Sequence, residues 1–160
     1  TIIMAAQQCV PVAEGKKVVV LPTKTVPQGI SALMVMDPEA DEEANVAAMT
    51  EAIGHVRPCE VTYAARDSDF DGFAIKRGDY LALAEHQLFG TDRKLEKLLR
   101  RLAESEELQN AEFINIFYGE DVTEREAQKS LKLFTELCPN AEITLLSGGQ
   151  PVYYYMISAE

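Results

Sequence analysis

Phe113-Ile114-Asn115-Ile116-Phe117-Tyr118 is a run of β-branched and aromatic residues, and five residues beyond it Thr123-Glu124-Arg125-Glu126 opens a helix. The run reads as a strand, because such side chains fit a pleated, packed surface. Thr123 and Glu126 stand three apart, the spacing at which a hydroxyl and a carboxylate cap each other's unpaired amides. The helix behind them turns Ala127, Leu131 and Phe134 inward and stops at Pro139-Asn140, and Ile143 to Leu146 then reads as a second strand. A strand, a capped helix and a strand in succession define an α/β protein with parallel-type strands. After it, Gly148-Gly149-Gln150-Pro151 makes a turn into a last strand, Val152 to Ile157.

Outward from this unit the pattern continues in both directions. Val18-Val19-Val20-Leu21 is a continuous apolar run, the texture of a strand buried on both faces. Pro22 ends it, the loop Pro22 to Gly29 follows, and a short apolar helix from Ile30 to Val35 is broken by Asp37-Pro38. Ile2 to Cys9 reads as helical with Thr1 as its N-cap, and Val46, Met49, Ile53 and Val56 form a helical stripe. Between about Glu60 and Gly90 the texture changes to an antiparallel hairpin section: Val61 to Ala65, a type I′ signal at Asp71-Gly72, a turn at Gly78-Asp79 and a strand from Tyr80. From Thr91 a helix places Leu95, Leu98, Leu99 and Leu102 on one face. The chain is expected to be one domain, 1–160, or two lobes, 1–58 and 59–160. It shows no internal repeat or low-complexity segment.

Of 160 residues, 47% are hydrophobic, which is enough for a core, and the net charge is −11. That charge repels phosphate backbones and anionic lipid, so no nucleic acid partner is expected. No stretch approaches a membrane span, so no integral membrane contact is expected, and no signal peptide is evident. Cys9, Cys59 and Cys138 are odd in number and far apart, which is neither a disulfide framework nor a zinc pattern. A reducing, cytoplasmic setting follows. The chain opens at Thr1 without an initiator Met, which reads as a domain boundary within a larger protein.

Several motifs bear on chemistry. Asp67-Ser68-Asp69-Phe70-Asp71-Gly72 matches the first half of an EF-hand loop, but position twelve is Gly78 where calcium needs a bidentate Glu. An acidic hairpin tip is the expected outcome. Gly29-Ile30-Ser31 half-matches a nucleophile elbow, with Leu33 where the second Gly belongs. His55 and His86 stand alone, and neither a phosphate-binding nor a dinucleotide glycine motif occurs. The pair Gly148-Gly149 could cradle an anion with its amides or simply turn the chain.

Two surfaces suit recognition. Thr23-Lys24-Thr25-Val26-Pro27-Gln28-Gly29 lies at the carboxyl end of the apolar run, where open α/β sheets place ligands. Its hydroxyls, amide and lysine can meet a carboxylate or a partner backbone. Arg93, Lys94, Lys97, Arg100 and Arg101 lie opposite the leucines of their helix, as a solvated face or a patch for an acidic partner.

Ile2 to Gln8, Val18 to Leu33, Tyr118-Gly119-Glu120-Asp121-Val122-Thr123, Gly148 to Tyr153 and Ile157 to Glu160 together resemble the C-terminal domain of bacterial fatty acid kinase. That family has long been labelled dihydroxyacetone kinase-like or DAK phosphatase. The resemblance implies a DegV-like fold and a place in lipid metabolism and phospholipid synthesis. It implies a larger ATP-dependent kinase whose ATP and magnesium sit in a kinase domain absent from this chain. It also implies a non-catalytic docking role toward a separate fatty-acid-binding DegV-like protein, whose bound acyl carboxylate is phosphorylated. No catalytic, metal or cofactor site is expected here. Thr23, Lys24, Thr25, Gln28, Gly29, Gly148, Gly149 and Gln150 are the candidate partner- or ligand-binding residues. The alternatives are a domain that itself holds a fatty acid or other small ligand and, more weakly, an enzyme of another type. A homodimer through the full-length protein is open.

Overall fold

Thr25 and Gln28 start a helix at Val26, and Asp41 starts another at Glu42, in the first of two units into which the chain divides, Thr1–Val56 and Arg57–Glu160. The structure is a computed structural model that describes residues 2–70 and 72–160. The N-cap role of Thr1 and the part of Asp71 in the Asp71-Gly72 turn lie outside the described residues.

The first unit is helical: α1 (Ile2–Cys9), a 3-10 turn (Val10–Val12), α2 (Val26–Met34) and α3 (Glu42–His55). Helix α2 packs on α3. Asn45 ties the connection between them, accepting from Asp37 N–H at 2.8 Å and donating to Asp37 O at 2.8 Å. Asp41 caps α3 by accepting from Ala44 N–H at 2.8 Å.

Val18 to Leu21 is not a strand. Among the described residues this run joins no ladder, and without a neighbouring strand a β-branched run has nowhere to place its backbone hydrogen bonds. The helix expected from Ile30 begins four residues earlier, so the supposed loop ends at Thr25.

The second unit is built on a six-stranded sheet. Its strands are β1 (Arg57–Tyr63), β4 (Tyr80–Ala84), β5 (Gln87–Asp92), β6 (Phe113–Tyr118), β7 (Glu142–Ser147) and β8 (Tyr155–Ala159), and a separate hairpin is formed by β2 (Ser68–Phe70) and β3 (Phe73–Ile75). The order is β5-β4-β1-β8-β6-β7. Only β6 and β7 run parallel; the other neighbours are antiparallel, including the section expected to be so. Helices α4 (Leu95–Ala103), α5 (Glu106–Gln109) and α6 (Glu124–Leu137) follow β5 and β6.

Alternate residues of the strands meet these helices. Val61, Ile116 and Ile157 pack with Leu98, Leu102 and Phe134, each fully buried. Burial of one such side chain contributes about 1.5–3 kcal/mol. Helix α6 turns Ala127, Leu133 and Phe134 to the core, while Leu131 is only half-buried. Helix α4 starts at Leu95 because Thr91 and Asp92 still pair with Leu81 and Tyr80 in the sheet. The last strand starts at Tyr155, later than expected. Val152 adopts φ +72°, and Tyr153 N–H bonds Pro151 O at 2.8 Å, so the turn runs on through Tyr153.

Candidate functional site

The residues expected to recognise a partner fall in both units. In the first unit, Thr25 Oγ1 accepts from Gln28 N–H at 3.4 Å, and Gln28 Oε1 accepts from Lys24 N–H at 2.8 Å and Thr25 N–H at 3.3 Å. Thr25 and Gln28 are therefore a reciprocal cap on α2, with Pro27 buried in its first turn. Lys24 is exposed, and among the described residues its ammonium makes no ion pair. Gly29 is an ordinary helical residue with open space where a side chain would stand.

Two grooves meet this segment. One, of about 440 Å³, runs from Ile2 and Ile3 to Thr23, Lys24, Thr25 and Val26. The other, of about 540 Å³, is mostly apolar and shares Ile2, Ile3 and Thr23 with the first; Val18, Leu21 and Leu33 are among its walls. Helix α2 also leaves Val26 59%, Leu33 64% and Met34 78% exposed. Sequence reading passed over these three, although Val26 to Met34 carries no charged residue to give the helix a polar face.

In the second unit, Gly148 N–H and Gly149 N–H both donate to Tyr118 O, at 3.0 and 3.2 Å. Gln150 Nε2 donates to Phe117 O at 3.0 Å, and Gln150 O accepts from Glu120 N–H at 3.1 Å. Gly149 takes φ +62°, the left-handed conformation glycine tolerates. These amides are committed to holding the end of β6 and are turned away from any external anion.

The other motifs resolve locally. Asp67 Oδ1 accepts from Arg77 N–H at 2.7 Å and Asp69 Oδ1 from Gly72 N–H at 3.1 Å, the bonds of a hairpin. Among the described residues no group of three His, Cys, Asp or Glu side chains could hold a metal ion. Ser31 is buried within α2. In the basic face, Arg101 donates to Thr91 O at 3.0 Å and lies over the Phe89 ring at 6.0 Å, and Arg93 pairs with Asp79 at 3.8 Å. Lys97 and Arg100 are exposed. Cys59 is buried; burial first, then the carboxylates of Glu107, Glu85 and Glu60, push its thiol up to about 12, so it is no nucleophile at neutral pH. Among the described residues no helix is long and apolar enough to cross a membrane.

The architecture is that of DegV family proteins. A DegV family protein of Corynebacterium glutamicum superposes with a TM-score of 0.67 at 14% identity, over 98% of this chain and 69% of that one. A fatty acid binding DegV family protein of Streptococcus agalactiae does so with a TM-score of 0.60 at 16% identity, over 99% and 65%. Sequence assigns the family more narrowly. Residues 1–160 match the FakA-like C-terminal family of fatty acid kinases, and the chain belongs to it. Protein YloV of Bacillus subtilis is 37% identical over 159 residues, which is 99% of this chain and 29% of that protein. The chain thus spans under a third of the length of the curated relatives it matches.

Proposed function

We propose that this domain is the docking module of a fatty acid kinase. It engages a separate fatty-acid-binding protein of the DegV kind, so that the bound acyl carboxylate reaches a kinase segment holding ATP and magnesium elsewhere in the full-length protein. The observation that carries this reading is α2, which leaves Val26, Leu33 and Met34 more than half exposed beside the unpaired cation of Lys24. Clustered exposed apolar side chains next to a charge suit a protein interface, with an apolar centre and a polar rim. Family membership and the fatty acid binding described for the S. agalactiae neighbour supply the partner's class.

A second reading has its own observation. The apolar groove by Val18, Leu21 and Leu33 adjoins the polar one at Thr23 to Val26, a layout that would suit an acyl chain with its carboxylate near Lys24. Titration calorimetry of the domain against a fatty-acid-binding DegV protein of the same organism, with mass spectrometry of lipid carried through purification, separates the two. Docking gives saturable binding that Leu33→Asp or Met34→Asp weakens at least tenfold, from a domain that purifies without lipid. No binding, with one fatty acid carried per domain, overturns docking in favour of the groove.

A further inference from the structure

The second unit holds a cleft that the docking reading does not use. It has a volume of about 380 Å³ and opens at the carboxyl end of β6, between α4, α6 and the sheet. Ligands of α/β sheets bind at such strand ends. Its floor is aromatic. Tyr63 and Tyr80 are directly opposed across β1 and β4, and the Tyr154 ring lies 5.9 Å from the first and 5.5 Å, edge-on, from the second. Tyr80, Tyr154 and Tyr155 line the cleft, with Leu95, Leu99 and Leu133 as the apolar wall.

Charge on the lining is unbalanced: Glu96, Asp121 and Glu126 stand against Lys129 alone. Glu126 is held ionised, because the Thr123 hydroxyl and N–H donate to its carboxylate at 2.6 and 2.9 Å and lower its proton affinity. The phenols register the resulting field. Burial, then Tyr80 and the Asp121 carboxylate, push the Tyr154 hydroxyl up. Aromatic faces and fixed carboxylates around a concave space favour a cation that is only weakly hydrated. Among the described residues no three acidic, His or Cys side chains come close enough to hold a metal ion, which removes a small divalent cation from consideration.

We infer that this cleft binds an organic cation, an ammonium or guanidinium group on an alkyl stem, with the stem along Leu95, Leu99 and Leu133 and the charge toward Asp121 and Glu126. The same chemistry is carried by a small alkylamine and by a Lys or Arg side chain of another protein.

The test is NMR titration of the 160-residue chain, following the ring signals of Tyr80 and Tyr154. The probes are n-butylammonium and n-butylguanidinium, with n-butanol and butyrate as the neutral and anionic controls. Saturable shifts with either cation are expected. Affinity should fall at least fivefold in Asp121→Asn and in Glu126→Gln, the latter keeping a side chain able to complete the helix cap. A blocked arginine, N-acetyl-arginine methylamide, separates the sources. Affinity equal to that of butylguanidinium points to a protein side chain, and marked loss points to a free small molecule. The inference is overturned if neither cation gives saturable shifts, if butanol binds as tightly as the cations, or if butyrate binds more tightly, which would make Lys129 the governing charge.

Discussion

Gln28 Oε1 accepts from Lys24 N–H at 2.8 Å, so a side chain from the first turn of α2 reaches back over the residue whose ammonium faces solvent. The two neighbours therefore do different work. Truncating Gln28 or Thr25 removes cap bonds and should cost about 1 kcal/mol, a fall in Tm of about 2–4 °C for a chain of this size. Lys24→Ala should leave Tm unchanged and weaken partner affinity by about tenfold, about 1.4 kcal/mol. Gln28→Glu, which can still cap, serves as control. Should Lys24→Ala lower Tm while affinity holds, Lys24 is a folding residue and the docking surface lies elsewhere.

Gly29 and Gly119 should respond oppositely to one methyl group. A Cβ on Gly29 meets nothing within 4 Å beyond its own helix, so Gly29→Ala should stabilise by about 0.5–1 kcal/mol through lost unfolded-state entropy. A Cβ on Gly119 would run into Tyr153 O and lie 2.7 Å from Gln150 O, both backbone atoms that cannot rotate away. Gly119→Ala should destabilise by about 1–3 kcal/mol. Thermal melts of the two variants decide this, and a neutral Gly119→Ala would mean that the turn after Gly149 moves easily.

Much of this fold is legible in local patterns. The strand, cap, helix and strand from Phe113 to Leu146 follow from periodicity and from the Thr123–Glu126 box, and those contacts form as that spacing requires. The same box occurs at Thr25-Val26-Pro27-Gln28, where reading the segment as a loop hid it. Val18 to Leu21 went wrong for a different reason. Side-chain type reports a liking for pleated backbone, whereas a strand also needs a neighbour, and that information is not local. The aromatic floor of the cleft is invisible for the same cause: Tyr80 and Tyr154 are far apart in the chain and meet only through the β1 register. Gly148 and Gly149 illustrate a third limit, since nothing in the sequence says which carbonyl their amides will find.

Stability should fall in alkali, beginning with a thiol. Cys59 titrates near 12 in the folded chain against an ordinary value of 9.0, so above about pH 9 the unfolded chain loses a proton that the folded one keeps. Unfolding is then favoured increasingly as pH rises toward 12. The phenols of Tyr153, Tyr154 and Tyr155, all pushed up chiefly by burial, add the same sign above about pH 10. Urea unfolding from about pH 8 to 11 should show the decline, and Cys59→Ala should flatten it between about pH 9 and 10. In parallel, an aromatic disulfide reagent at about pH 8 should modify only exposed Cys9 in the native chain and all three thiols in urea. Rapid native modification of Cys59 would mean that its burial is transient.

Ser130 and Tyr155 bond through their hydroxyls at 2.8 Å, at the inner wall of the cleft, with Tyr155 only 1% exposed. The two truncations are unequal. Tyr155→Phe leaves Ser130 with a second partner, since its hydroxyl also reaches Glu126 O at 3.3 Å, so the loss should stay under about 1 kcal/mol. Ser130→Ala strands a buried phenol and should cost about 1–3 kcal/mol. The double variant removes both hydroxyls and should be less destabilised than the two single losses added together, with a coupling of about 0.5–3 kcal/mol. Urea unfolding of the four proteins measures the cycle. If Ser130→Ala costs nothing, water entering from the cleft satisfies Tyr155, and the phenol would then be open to a ligand's hydrogen bond as well.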